Sequence, residues 1–261
     1  METLRYTQDN GIAIITFNRP ENLNALDLAT MQRFAEVIQQ VKADQQVRVV
    51  ILTGTGQRAF CSGGDLYELS QYPSEADGRH FITIMGDALL ELERLPVPVI
   101  AAINGYALGG GSEIAVACDM RIVDEHARMG FIQVRLALTP GWGAGQRLLR
   151  LIGYPRAMDI LLQGHVLHAP EILQIGLARK VVEAGTALQQ ALNMARHIAD
   201  HPPDVVRGIK ALLRAGLEHS YEEALRIERD LFPPLWAAEP HLKAVDDFLE
   251  RERARKQKAG D

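Results

Sequence analysis

Two glycine-rich segments in the first half of the chain have the composition of backbone anion sites. Ser62–Asp65 is Ser-Gly-Gly-Asp, and Gly109–Glu113 is Gly-Gly-Gly-Ser-Glu. Glycine removes the Cβ atoms that keep a ligand away from backbone N–H groups, and a helix starting at such a turn adds partial positive charge. A single glycine triplet is equally typical of a tight strand-to-helix turn. Two such turns predict a pair of N–H donors for an oxyanion, and one donor of this kind contributes about 2.7 to 4 kcal/mol to catalysis.

Each of these turns follows a run that predicts a buried strand. Val47–Thr53 and Val97–Ile103 are almost continuously apolar and rich in β-branched residues, which is typical of strands buried on both faces of a partly parallel sheet. Gly11–Phe17 predicts an earlier strand, and Asp27 is a suitable N-cap for a helix ending near Ala43. The two glycine turns are therefore predicted to face one another at strand-to-helix connections.

The second half of the chain has a different pattern. Helices are predicted from about Asp65 and from about Ser112, and beyond Trp142 the pattern is almost wholly helical, with one strand at Ala178–Val182. No internal repeat of solenoid period is present. The sequence predicts an α/β core followed by a helical carboxy-terminal part.

Composition excludes several classes of function. The chain has 261 residues, 47% apolar and 23% charged, and its net charge of -5 mixes both signs, so no basic stripe for nucleic acid is expected. The two cysteines, Cys61 and Cys118, form no metal-binding spacing and no disulfide framework. The polar amino terminus and the lack of a bilayer-length apolar run predict a cytoplasmic protein without a membrane partner.

The motifs together are similar to one enzyme family. The two segments that carry the glycine turns resemble the signature segments of the crotonase (enoyl-CoA hydratase/isomerase) superfamily, and the spacing between them also fits. The resemblance covers nearly the whole chain and rests on Asn18–Pro20, Asn24–Leu26, Ala59–Leu66, Ile103–Glu113, Ala117–Asp119, Pro140–Gly143 and Gln146–Leu148.

This resemblance implies a fold and an assembly. The expected fold is a crotonase spiral of β-β-α units in residues 1–195, containing the CoA and active sites, with a helical trimerisation region in residues 196–261. The expected assembly is a homotrimer or a dimer of trimers. The substrate is an acyl-CoA, no separate cofactor or metal is expected, and CoA enters as part of the substrate.

The resemblance also implies site residues. The oxyanion donors are the backbone N–H groups of Gly64 and Gly110. Glu113 matches the family's first catalytic glutamate, a general acid or base whose pKa is raised when it is partly desolvated; the alternative is an exposed glutamate favoured by the helix dipole. The residues expected along the CoA path, largely through backbone atoms, are Ala25, Ser62, Gly64, Asp65, Leu66 and Gly110.

One position departs from the hydratase pattern. Counting back from Pro140-Gly141, the second catalytic glutamate of hydratases falls on Gln133, and an amide cannot exchange a proton as a carboxyl does. Other members work with one carboxyl group or none. The segments Thr139–Gly143, Ser62–Leu66 and Pro73–Gly78 look similar to the ethylmalonyl-CoA decarboxylase branch.

The expected reaction is therefore alkylmalonyl-CoA decarboxylation or double-bond isomerisation on a short-chain acyl-CoA. Enoyl-CoA hydration is the alternative within the family, and a non-catalytic binding or assembly module is the alternative of another class. Trp142 is expected in the core or in a pocket wall, where it would favour short acyl groups.

Three other sites are considered and set aside. Gly54–Ala59 formally matches a dinucleotide fingerprint, but no helix is predicted to open there. Cys61 has no histidine nearby in sequence to activate its thiol. His165 and His168 are spaced by three residues but have no third metal ligand beside them.

Overall fold

The computed structural model describes residues 2–259, with side chains through residue 256. The chain divides into two compact units, residues 1–199 and 200–261. The sequence prediction places this boundary after residue 195, and the last residues of its predicted helical region, 260 and 261, lie outside the described residues.

The first unit is a mixed α/β structure. Its strands are β1 Leu4–Asp9, β2 Ile12–Phe17, β3 Val49–Gly54, β4 Ala59–Cys61, β5 Val99–Ile103, β6 Tyr106–Leu108, β7 Met120–Asp124, β8 Arg128–Gly130, β9 Val166–His168 and β10 Lys180–Val182. Its helices are α1 Leu28–Ala43, α2 Leu66–Leu69, α3 Glu75–Arg94, α4 Gly110–Ala117, α5 Ala144–Ile152, α6 Tyr154–Gln163, α7 Ala169–Gln174 and α8 Ala187–Ala199. Short 3₁₀ turns follow β2 and β8, at Pro20–Asn22 and Gln133–Leu136.

The strands form two sheets. The larger has the order β1-β2-β3-β5-β7-β10 and is parallel except for the β1–β2 hairpin. The smaller has the order β4-β6-β8-β9, with β8 and β9 antiparallel. Successive strands along the chain alternate between the two sheets, in the pairs β3 and β4, β5 and β6, and β7 and β8. The first two pairs lead into helices. This repeated β-β-α turn is the spiral that the family resemblance implies.

The central strands are buried on both faces. In β3, Val50 and Leu52 contribute to the larger apolar core, whereas Val49 and Ile51 pack in a second core with alanines of α8. Continuous apolar runs such as Val47–Thr53 arise because neither face meets water. The strand predictions at Gly11–Phe17, Val47–Thr53, Val97–Ile103 and Ala178–Val182 are confirmed within a few residues.

Helix starts follow the predicted caps, with one correction. The Asp27 side chain accepts a hydrogen bond from Thr30 N at 2.8 Å and begins α1, and the Asp65 side chain caps the short α2. The helix expected from about Ser112 begins two residues earlier, at Gly110, because Gly109 itself (φ +52°) makes the turn.

The second unit consists of three helices, α9 Pro203–Glu218, α10 Tyr221–Trp236 and α11 Glu239–Ala259. An apolar groove of about 750 Å³ lies among them, with Ile209, Phe232 and Trp236 in its wall. These three side chains are more than half exposed.

Within residues 2–259, no helix combines the length and the apolar character needed to cross a bilayer. The described side chains also contain no cluster of three or more histidine, cysteine or acidic groups that could hold a metal ion.

Candidate active site

The two glycine turns lie side by side at one edge of the four-stranded sheet. β4 and β6 are parallel neighbours, so the carboxyl ends that carry the turns meet. Gly63 has φ +96°, and a Cβ atom there would lie 2.9 Å from Gly110 N. That position requires glycine both for its backbone conformation and for the close approach of the second turn. The structure thus brings together the two segments that the sequence singles out.

Gly64 and Gly110 each present a backbone N–H that has no acceptor among the described residues. Around Gly64, the N–H groups of Ser62 and Asp65 are already used, because they donate to carbonyls in Leu23–Leu26. Gly110 is the first residue of α4, where an N–H has no acceptor within the helix and the helix end carries partial positive charge. Two free donors on adjacent turns are suited to an oxygen that gains negative charge.

The Glu113 carboxylate is buried and receives four hydrogen bonds. The residue is only 2% exposed. Its Oε1 accepts from Gln133 Nε2 at 2.8 Å and from Gly141 N at 3.4 Å. Its Oε2 accepts from Trp142 N at 2.8 Å and from Ala144 N at 3.0 Å. A carboxylate offers about four lone-pair sites, so this set of donors occupies them. The alternative of an exposed first-turn glutamate is excluded.

Two opposing effects act on the acidity of Glu113. Burial raises its pKa above the ordinary value, because the charged form loses its hydration. The N–H donors from Ala144, Trp142, Gln133 and Gly141 lower the pKa, and burial outweighs them. The result is a carboxyl group that takes up a proton more readily than an exposed glutamate.

Gln133 lies at the start of the 3₁₀ turn, directly beside Glu113. Its amide Nε2 donates to Glu113, while its Oε1 is buried and has no donor among the described residues. A buried acceptor left without a donor costs roughly 1–3 kcal/mol. Gln133, the residue that departs from the two-carboxyl pattern, is therefore in direct contact with Glu113, the one carboxyl group at this position.

Sequence reasoning did not find how the loop Pro140–Gly143 completes the site. Three of the four donors to Glu113 come from this loop and the first residue of α5. The indole ring of Trp142 covers Gly110, where an added Cβ atom would lie 2.1 Å from a ring carbon. The only sequence signal was Pro-Gly-Trp-Gly before a helix, and it gave no indication that the backbone N–H groups turn inward.

The residues predicted for the CoA path, apart from Gly110, lie on two paired segments. Leu26 N donates to Gly63 O at 2.8 Å, and Asp65 N donates to Leu26 O at 2.8 Å. This pairing places Ala25 on one segment beside Ser62, Asp65 and Leu66 on the other. The Leu66 side chain is 56% exposed.

Arg19 joins these two segments. Its Nη1 donates to Ala25 O at 2.9 Å and forms ion pairs with Asp65 at 2.9 Å and Asp27 at 3.4 Å. The Asp65 carboxylate is engaged by this pair and by its N-cap bond to Tyr67 N. Asp65 therefore fixes the shape of the turn with its side chain.

The structure shows the surroundings of Cys61, Gly56 and His168, which belong to the three sites that the sequence set aside. The thiol of Cys61 is buried, and burial raises its pKa to about 12, so it stays protonated near neutral pH. No helix opens at Gly56, because β4 follows. His168 Nδ1 contacts Arg128 at 2.7 Å, an arrangement that does not suit a metal ligand.

Comparison with known proteins places this geometry in a family. The profile of the enoyl-CoA hydratase/isomerase family matches residues 7–258. The short-chain-enoyl-CoA hydratase of Clostridium acetobutylicum is 37% identical over 94% of both chains. The ethylmalonyl-CoA decarboxylase of Xenopus tropicalis is 34% identical over 91% of this chain and 80% of its own. The crystal structure of an enoyl-CoA hydratase from Bacillus anthracis superposes with a TM-score of 0.91 at 34% identity, covering 96% of this chain and 97% of that one.

Proposed function

Since this chain belongs to the enoyl-CoA hydratase/isomerase family of the crotonase superfamily, we propose that it forms an enolate from a short-chain acyl-CoA. The thioester oxygen, as it gains negative charge, accepts the N–H groups of Gly64 and Gly110. CoA enters with the substrate, along the paired segments that contain Ala25 and Ser62–Leu66, and no other cofactor takes part.

The favoured reaction is decarboxylation of an alkylmalonyl-CoA. The observation that carries it is the state of Glu113: both carboxylate oxygens are held by N–H donors, and the neighbouring position carries Gln133 in place of a second carboxyl. Hydration divides proton transfer between two carboxyls, whereas loss of carbon dioxide needs no base. A carboxylate that already accepts four hydrogen bonds suits decarboxylation better than hydration.

The chemical step uses the groups that the site offers. The bond between the α carbon and the carboxylate carbon breaks, carbon dioxide leaves, and the electron pair becomes the enolate held by Gly64 and Gly110. The α carbon then takes a proton from water, or from Glu113 once its carboxyl group has exchanged the long hydrogen bond from Gly141 N for a proton. The raised pKa of Glu113 reduces repulsion toward the substrate carboxylate, because it favours the neutral form of Glu113.

Double-bond isomerisation fits the same site at a greater cost. It needs Glu113 to take a proton from one carbon and return it to another, so the carboxylate must give up a hydrogen bond. The bond from Gly141 N is the longest, at 3.4 Å, and is the one most easily exchanged.

Hydration is the second candidate, and Gln133 is the observation that favours it. Its Oε1 lacks a donor among the described residues, and a water molecule can supply one if its second hydrogen replaces the long contact from Gly141 N on Glu113. The relative from Clostridium acetobutylicum is named as a hydratase. In this reaction Gln133 orients the water and Glu113 alone exchanges protons.

Parallel assays separate these reactions. The pure protein is incubated separately with ethylmalonyl-CoA, 3-hexenoyl-CoA and crotonyl-CoA, and the products are identified by mass spectrometry. Decarboxylation with a kcat above ~1 per second and negligible hydration supports the proposal. Hydration of crotonyl-CoA at such a rate, with no carbon dioxide release, overturns it in favour of the second candidate.

We also propose that the helical second unit mediates trimerisation. Its exposed apolar side chains, including Leu213, Phe232 and Trp236, are what a self-association surface requires. Size-exclusion chromatography with light scattering of the full chain gives the test: a species of three or six chains is expected, and a monomer at micromolar concentration contradicts the assignment.

A further inference from the structure

A partly buried ion pair lies behind the loop that completes the site. Arg147 of α5 contacts Glu93 of α3 through Nε at 3.1 Å and Nη2 at 3.0 Å, and the two side chains are 10% and 23% exposed. Arg147 Nη1 donates to Trp142 O at 2.6 Å. A buried guanidinium is tolerated only when it is paired and hydrogen-bonded, so these contacts fix the position of the Arg147 side chain.

The residue that Arg147 holds contacts both halves of the site. Trp142 donates its N–H to Glu113, and its ring covers Gly110, one of the two oxyanion donors. The carbonyl of the same residue is the acceptor for Arg147. A shift of Trp142 would therefore disturb the carboxylate and the oxyanion turn together.

The loop is shaped to admit the guanidinium. Gly143 has φ +102°, and a Cβ atom there would lie 2.5 Å from Arg147 Nη1. At the other end of the loop, a Cβ atom on Gly141 would lie 3.0 Å from the Ile82 side chain of α3. The loop is thus attached to α3 at two points. Gly141 packs directly against α3, and Trp142 is linked to Glu93 of α3 through Arg147.

We propose that Arg147, paired with Glu93, is a positioning residue that sets the orientation of Glu113 and the packing of Gly110 through the carbonyl of Trp142. Arg147 acts through Trp142 and forms no hydrogen bond with Glu113 or Gly110 among the described residues. The inference rests on the proposed function only in taking Glu113 and Gly110 as the site, and it holds for decarboxylation, isomerisation and hydration alike.

The position of Trp142 can be measured without substrate. The chain has two tryptophans, Trp142 and Trp236, so Trp236→Phe leaves the buried Trp142 as the only one. In this background Arg147→Met is compared with Arg150→Met, which removes an exposed arginine one turn along the same helix. Acrylamide quenching of Trp142 is expected to rise at least twofold in Arg147→Met and to stay unchanged in Arg150→Met.

Kinetics on whichever acyl-CoA is turned over give the second readout. Arg147→Met is expected to lower kcat at least tenfold while KM changes less than threefold. Arg147→Lys is expected to recover part of the loss, since one ammonium group cannot hold the carboxylate and the carbonyl in the same fork. If Arg147→Met does not fold, Glu93→Gln replaces it and is expected to change quenching and kcat in the same direction.

A folded Arg147→Met variant with unchanged quenching and kcat overturns the proposal. A lower melting temperature with unchanged quenching and kcat also overturns it, because the pair would then be a stabilising contact only. Failure of the proposed reaction has a different signature, since it changes the substrate assays and leaves the quenching result intact.

Discussion

Replacing Glu113 separates its role in holding the loop from its role in proton transfer. In Glu113→Gln, the amide oxygen can still accept the N–H groups of Trp142 and Ala144. Its new Nε2 faces Gln133, whose amide can rotate so that the unpaired Oε1 becomes the acceptor. This rotation exchanges the unpaired Oε1 of Gln133 for an unpaired Nε2, so the N–H of Gly141, already 3.4 Å away, is the one additional group without a partner.

The expected loss of stability follows from this count. One additional unpaired N–H corresponds to roughly 1–3 kcal/mol of unfolding free energy, because the exchange at Gln133 leaves the number of its unpaired groups unchanged. In Glu113→Leu, the backbone donors of Trp142 and Ala144 are orphaned in addition to that of Gly141, which adds about 2–6 kcal/mol to the loss. The leucine variant is therefore expected to be clearly less stable than the glutamine variant.

Urea unfolding followed by circular dichroism, at one fixed protein concentration, measures this difference. Activity gives the complementary result: Glu113→Gln is expected to abolish isomerisation or hydration but to retain a large part of any decarboxylation, because carbon dioxide loss needs no base. Equal destabilisation of the two variants refutes the rotation of Gln133. Two variants as stable as the parent refute the view that this carboxylate holds the loop.

Three further predictions concern the same region. Gln133→Glu supplies the second carboxyl, so hydration of crotonyl-CoA is expected to rise at least tenfold; an unchanged hydration rate at every pH from 5 to 9 would show that this position does not decide the reaction. The pKa of Glu113 in the folded protein is raised above its ordinary value of 4.5. The contribution of this group to the free energy of unfolding is therefore fully present below pH 4.5 and is lost as the pH rises through the folded pKa. Urea titrations should show this pH dependence in the parent, and the same dependence in Glu113→Gln would assign it to another group. The buried Cys61 thiol, with a pKa of about 12, is expected not to react with a disulfide reagent at pH 8 until the protein is unfolded, and rapid labelling of the native protein would contradict this.

The elements that the sequence predicts best are those whose signal is local. The apolar run Val47–Thr53 and the N-cap Asp27 each depend on a few neighbouring residues, and both predictions are confirmed. The first strand was missed although its turn had a local signal, Asn10-Gly11. Both residues have positive φ, as a tight hairpin turn requires, but β1 is a mostly exposed edge strand and its polar sequence concealed it.

The site was predictable in part for the same reason. The glycine turns and Glu113 lie within short motifs, so their types could be recognised. The donors to Glu113 could not be, because they come from residues 20 to 31 positions later in the chain. The pair of Glu93 and Arg147 spans 54 positions, and no local pattern announces a contact of that kind.

The roles predicted for Gly64 and Gly110 stay predictions until a ligand carbonyl is observed. The most direct measurement is the carbonyl band of bound butyryl-CoA, an unreactive thioester, labelled with ¹³C at the thioester carbon and followed by Raman difference spectroscopy. If the two N–H groups polarise the carbonyl, its band moves to lower frequency on binding. A bound ligand whose carbonyl band stays at its position in water would contradict the oxyanion site.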